Sequence, residues 1–104
     1  MLKRLLFAAC SAIILVFSPA PSFATDPGQG KVLAERWCAS CHLVEPGQTS
    51  AADQAPPFTY VARMPDFDEN KLAFLLLLPH PNMPNVGLTR VEVLDMAAYI
   101  STLK

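Results

Sequence analysis

Cys38-Ala39-Ser40-Cys41-His42 reads C-x-x-C-H, the pattern of covalent c-type haem attachment. Two thiols about one helical turn apart can each add to a vinyl group on one porphyrin edge. The histidine that follows directly is carried under the porphyrin plane, where an imidazole nitrogen can bind iron. Five residues thus supply the tether and one axial ligand. Two other uses of such a pair fit less well. A thioredoxin-like redox disulfide sits beside a βαβ pattern, and none is visible. Structural zinc needs four ligands, and the chain offers one such pair and, besides His42, only His80.

The N-terminus points to export. Lys3 and Arg4 form a positive start, and Leu5 to Phe17 is an apolar run broken only by Cys10 and Ser11. That run is short for a membrane span and suits a secretory signal. Ser22-Phe23-Ala24 places small residues where a signal peptidase reads. The expectation is a signal peptide over 1–24, cleaved after Ala24, and one domain over 25–104. An uncleaved N-terminal anchor is the alternative. Cys10 precedes most of the apolar run and leaves with the signal as a small hydrophobe.

The remaining 80 residues make a marginal core on their own. A covalently held haem is a large apolar plate around which such a chain can collapse. The apo-chain is expected to fold poorly. Six basic residues face nine acidic ones in 25–104. That sign argues against nucleic-acid binding and serves ordinary solubility or a basic partner patch. Both cysteines of this part lie in the motif, so no disulfide framework exists.

Helical signals run along the rest. Asp26 can cap a first helix with Pro27 at its first position and Gln29 completing a capping box. Gly30, Leu33, Ala34 and Trp37 recur on one face. A glycine in mid-helix costs about 1 kcal/mol against alanine, which suggests that another helix comes close there. Residues 43–57 read as loop, with turn chemistry at Glu45-Pro46-Gly47-Gln48 and a stop at Ala55-Pro56-Pro57. Phe58 to Ala62 suits a short helix with Phe58, Val61 and Ala62 inward. Asp66 or Asp68 can cap a further helix running to about Leu78. Its run Leu72-Ala73-Phe74-Leu75 to Leu78 predicts cover on several sides by haem and neighbouring helices. Length and leucine content favour helix over a buried strand. Pro79, Pro81 and Pro84 then stiffen a loop. Thr89 and Glu92 form a capping box, and Val93, Met96, Ala97, Ile100 and Leu103 give an apolar stripe, with Tyr99 beside it. The class is all-α, three to four helices wrapped around one haem.

Iron has a second face. Met83 is the leading candidate, since it sits in the proline-stiffened loop after a helix, where a side chain can be aimed. A Met/His pair raises the reduction potential. His80, three residues away in the same loop, is the rival and would give bis-histidine ligation. Met64 lies 22 residues after His42, a short path around the haem edge, and Met96 belongs to the last helix stripe. An open sixth site is the remaining possibility. The Pro56 carbonyl is a candidate acceptor for the other imidazole N–H of His42, a bond that fixes the ring and tunes the iron.

In this order, Gly30 with Trp37, Cys38 to His42, Ala55-Pro56-Pro57-Phe58, Asn82-Met83-Pro84-Asn85 and Ala98-Tyr99-Ile100 make the chain resemble the class I cytochromes c, in particular short single-haem bacterial ones. The resemblance covers nearly all of 25–104. It implies a compact cytochrome c fold in which the first and last helices cross where Gly30 meets Tyr99. It also implies His42 and Met83 as axial ligands, and Pro56 as acceptor from His42. The chain departs from larger members in its short loops and has no ring of lysines around the haem edge.

The expected function is a periplasmic electron carrier, not an enzyme, using one covalent haem c and exchanging electrons with redox partner proteins. No nucleic acid and, after signal cleavage, no membrane span enters this reading. Two alternatives stand beside it: a haem subunit of a larger dehydrogenase or oxidase complex, and a haem enzyme or gas-binding protein with an open sixth site.

Overall fold

The computed structural model describes residues 13–20, 24–52, 54–79 and 83–104. The positive start of the signal segment, Ser22 and Phe23 of the cleavage site, and the rival ligand His80 with Pro81 and Asn82 lie outside the described residues. Among the described residues four helices follow one another: α1 Pro27–Trp37, α2 Phe58–Ala62, α3 Glu69–Leu77 and α4 Arg90–Ser101. Among the described residues there is no strand, and no helix is long and apolar enough to cross a membrane.

Local chemistry sets the helix starts. Asp26 accepts from Gln29 N–H at the head of α1, with Pro27 in the first turn. Asp68, rather than Asp66, accepts from Lys71 N–H at 2.7 Å and opens α3. Thr89 and Glu92 make the full reciprocal capping box of α4, with Thr89 N–H donating to the Glu92 carboxylate at 2.8 Å. In α1 only half of that box forms. The Asp26 N–H donates instead to Asp95 Oδ1 at 2.8 Å, and Asp95 is a buried residue of α4. A side chain 69 positions away therefore satisfies one of the orphan donors at the head of α1.

α4 is the spine, packed against α1 on one side and α3 on another. Met96 and Ile100 are fully buried beside Leu33, Ala34, Phe58 and Ala62. Val93 and Ala97 close on Ala73 of α3. α1 and α4 touch backbone to backbone at Gly30, where an added Cβ would lie 2.0 Å from the Asp95 carbonyl oxygen and 2.9 Å from Met96 N. The crossing is thus one turn earlier in α4 than the Tyr99 expected from the resemblance. Tyr99 packs in the same core, but its hydroxyl reaches past α1 and donates to the Val44 carbonyl at 2.7 Å. Replacing Tyr99 by phenylalanine leaves that buried carbonyl without its partner. The expected loss is about 1–3 kcal/mol in a denaturant titration of the holoprotein.

Two expected burial patterns change. Trp37 is 44% exposed, with the Arg36 guanidinium 4.9 Å above its ring. The helix ends at this residue, and Cys38 takes the inward position instead. α3 is not covered on all sides by protein. Only Ala73 is buried, with Leu72 and Leu76 partly packed against α4, while Phe74, Leu75, Leu77 and Leu78 are open. Leu75 and Leu78 belong to the wall of a cavity, described next.

Candidate functional site

The attachment motif begins where α1 ends. Cys38 N–H still bonds to the Ala34 carbonyl, and the N–H groups of Cys41 and His42 both turn back onto the Cys38 carbonyl at 3.1 and 2.8 Å. This tight turn places the second cysteine and the histidine one step beyond the first cysteine. The loop that follows is laced to the rest of the fold. The Ser40 carbonyl accepts from Ala52 N–H at 2.7 Å and the Leu43 carbonyl from Phe58 N–H at 2.9 Å. Tyr99 holds Val44, as above. Lys31 of α1 pairs with Glu45 at 3.2 Å on the surface, and that hydrogen bond raises the lysine's pKa.

A cavity of about 420 Å3 opens beside this turn. Cys38, His42 and Pro56 form one part of its wall, Phe58 and Val61 of α2 another, and Leu72, Leu75, Leu76 and Leu78 a third. Pro79, Met83 and Ile100 complete it. The structure therefore gathers Cys38, His42, Pro56 and Met83 around one space. Cys41 is half-buried but not part of the wall; its Sγ lies 3.8 Å from Ser40 Oγ. Neither Met64 nor Met96 lines the cavity. Met64 belongs to a separate, smaller hollow with Lys71 and Phe67. Met96 is fully buried, with its sulfur 4.0 Å from Cys38 Sγ.

His42 Nδ1–H donates to the Pro56 carbonyl at 2.8 Å. A carbonyl can only accept, so this bond selects the tautomer with its proton on Nδ1 and leaves the Nε2 lone pair open. The ring also leans on Phe58, with centroids 5.2 Å apart. The two cysteines are unpaired. Burial pushes the Cys38 thiol up to about 11, with the neighbouring Cys41 adding to the effect. At neutral pH it is held as the thiol, the form that does not attack disulfides.

A protein named Cytochrome c-552 from Bradyrhizobium diazoefficiens is 50% identical to this chain over 95 residues, which cover 91% of each. The chain belongs to the small c-type cytochromes. No family model matches it, and no solved structure matches it either. The cofactor of this c-type cytochrome is covalently bound haem c with its iron. The site suits that group. The cavity falls in the roughly 300–1,000 Å3 range of small-molecule and cofactor sites. Among the described residues its wall holds no acidic side chain and, besides His42, no basic one. Apolar walls of this kind keep water from the iron and disfavour the more highly charged ferric state.

Gln48 supports the attachment loop, although its sequence context signals only a turn. It lies half-buried against the attachment loop, and its amide bonds to the main chain of Ala39, His42, Val44 and Ser50. Nothing in a Glu-Pro-Gly-Gln stretch announces that its last residue folds back over the preceding nine.

Proposed function

We propose that this cytochrome is a periplasmic one-electron carrier whose iron is bound by His42 on one side and Met83 on the other, with thioethers at Cys38 and Cys41. The observation that carries the reading is the joint presence of Cys38, His42, Pro56 and Met83 on one apolar cavity, with Met64 and Met96 elsewhere. The bound haem supplies a metal centre that cycles between ferrous and ferric states. The chain's own residues do the rest. Pro56 holds the His42 ring with its Nε2 free for the iron. Phe58, Leu72 and Leu76 exclude water. Met83 offers a soft, neutral thioether, which favours the ferrous state relative to harder ligands. His42 and Met83 would together hold the iron, and with both bound no position would remain for a substrate. A signal peptide over 1–24, cleaved after Ala24, delivers the domain 25–104 to the compartment where haem is attached, and its partners are other redox proteins.

Carbon monoxide tests the closed site. Native ferrous protein is expected to give no carbonyl spectrum on mixing, whereas rapid binding would reject the carrier reading in favour of an open sixth site. Attachment is tested at Cys41. In Cys41→Ala, protein exported by a host with working maturation machinery is expected to hold its haem through one thioether at most and in lower yield. Unchanged yield and an unchanged haemochrome band would remove Cys41 from the motif.

A further inference from the structure

Gln48 belongs to no helix and to no part of the cavity wall, yet its position relative to the attachment turn is specific. Its Oε1 accepts the Val44 N–H at 2.9 Å. Its Nε2 faces three carbonyls, Ala39 at 2.8 Å, His42 at 3.0 Å and Ser50 at 3.0 Å. A primary amide has two N–H bonds, so three acceptors share two hydrogens, one of them in a three-centre bond. Ala39 stands between the two cysteines and His42 directly after the second. One side chain therefore grips the main chain on both sides of Cys41-His42. His42 is then held at two points, its carbonyl by Gln48 and its ring by Pro56. Fixing the ring alone leaves the main chain free to carry it away from the iron; fixing the main chain alone leaves the ring free to turn.

We propose that Gln48 is a positioning residue for the haem: by holding the main chain around Cys41-His42 it sets where the second thiol and the imidazole meet the porphyrin. The inference rests on His42 as an iron ligand. Glutamate at this position keeps an acceptor for Val44 N–H but loses both donors and turns a negative charge toward three carbonyls. Alanine loses every bond.

The test compares exported holoprotein of Gln48→Ala, Gln48→Glu and Thr89→Ala. The last removes the capping box of α4 and supplies a destabilised control away from the loop. Two quantities are read: the reduction potential, and the fraction of holoprotein in which a cysteine still reacts with a thiol-alkylating reagent. Both Gln48 variants are expected to show a lowered potential, as water gains access beside His42, and a reactive Cys41. Thr89→Ala is expected to melt earlier with neither change. If Gln48→Ala yields no holoprotein, Gln48→Glu decides, since it keeps the Val44 bond. Wild-type potential and thioether content in the Gln48 variants would overturn the proposal, and so would equal shifts in Thr89→Ala. Failure of the ligand reading shows separately: a six-coordinate low-spin spectrum surviving in His42→Ala would remove His42 from the iron whatever the Gln48 variants do.

Discussion

Gly30→Ala is expected to destabilise the holoprotein by about 3 kcal/mol, although alanine is the better helix former by about 1 kcal/mol. The added methyl would sit 2.0 Å from the Asp95 carbonyl oxygen and 2.5 Å from its carbon. These are main-chain atoms of a helix, so no rotamer can yield. α1 must lift from α4, and the lift strains what the crossing holds together: the packing of Leu33 and Ala34 on Met96 and Ile100, and the bond from Asp26 N–H to Asp95. A domain of this size has on the order of 4–12 kcal/mol to lose. The melting temperature of Gly30→Ala, followed by circular dichroism, is expected to fall by roughly 15–20 °C. A variant that melts with the wild type would show that the two helices do not meet there.

Met83→Ala is expected to have the largest functional effect. Axial ligands command a span of roughly 0.8 V in haem proteins, and the thioether sits at its high end. Removing it is expected to lower the potential by a sizeable share of that span and to open the iron to carbon monoxide and cyanide. The fold should survive, because Met83 lies in the loop between α3 and α4 rather than in the helical core. That loop is aimed by its own chemistry. Asn85 accepts from Gly87 N–H at 3.0 Å, and Gly87 has φ +65°, a conformation that side-chained residues rarely adopt. The turn sends the chain from the cavity wall to the head of α4. An unchanged potential in Met83→Ala, with a lowered one in His80→Ala, would transfer the ligand to His80.

Much of the fold could be read from short stretches because their causes are local. Asp26-Pro27 and Thr89 to Glu92 announce helix starts through side chains that bond three residues ahead. The apolar spacing of Val93, Met96, Ala97 and Ile100 announces which face of α4 is buried. What could not be read depends on partners far along the chain. Gly30 signalled a close approach, but the partner, Asp95-Met96 rather than Tyr99, follows from how two helices register. Nothing in the sequence around Asp95 announces that its carboxylate accepts the Asp26 N–H. Tyr99 reads as an aromatic beside the α4 stripe, and only the fold shows its hydroxyl on Val44. At the site, Cys38 to His42 is legible because the chemistry demands that spacing. The prolines around Met83 mark its loop as one that can aim a side chain, and Met83 does line the cavity. Gln48 is not legible, because its four main-chain partners are gathered only when the loop closes.

The ferric protein's near-infrared spectrum tests the ligand assignment most directly. A sulfur-to-iron charge-transfer band is expected in the wild type and in His80→Ala, and it should vanish in Met83→Ala. No such band in the wild type, or a band that survives the loss of Met83, would contradict the pairing of His42 with Met83.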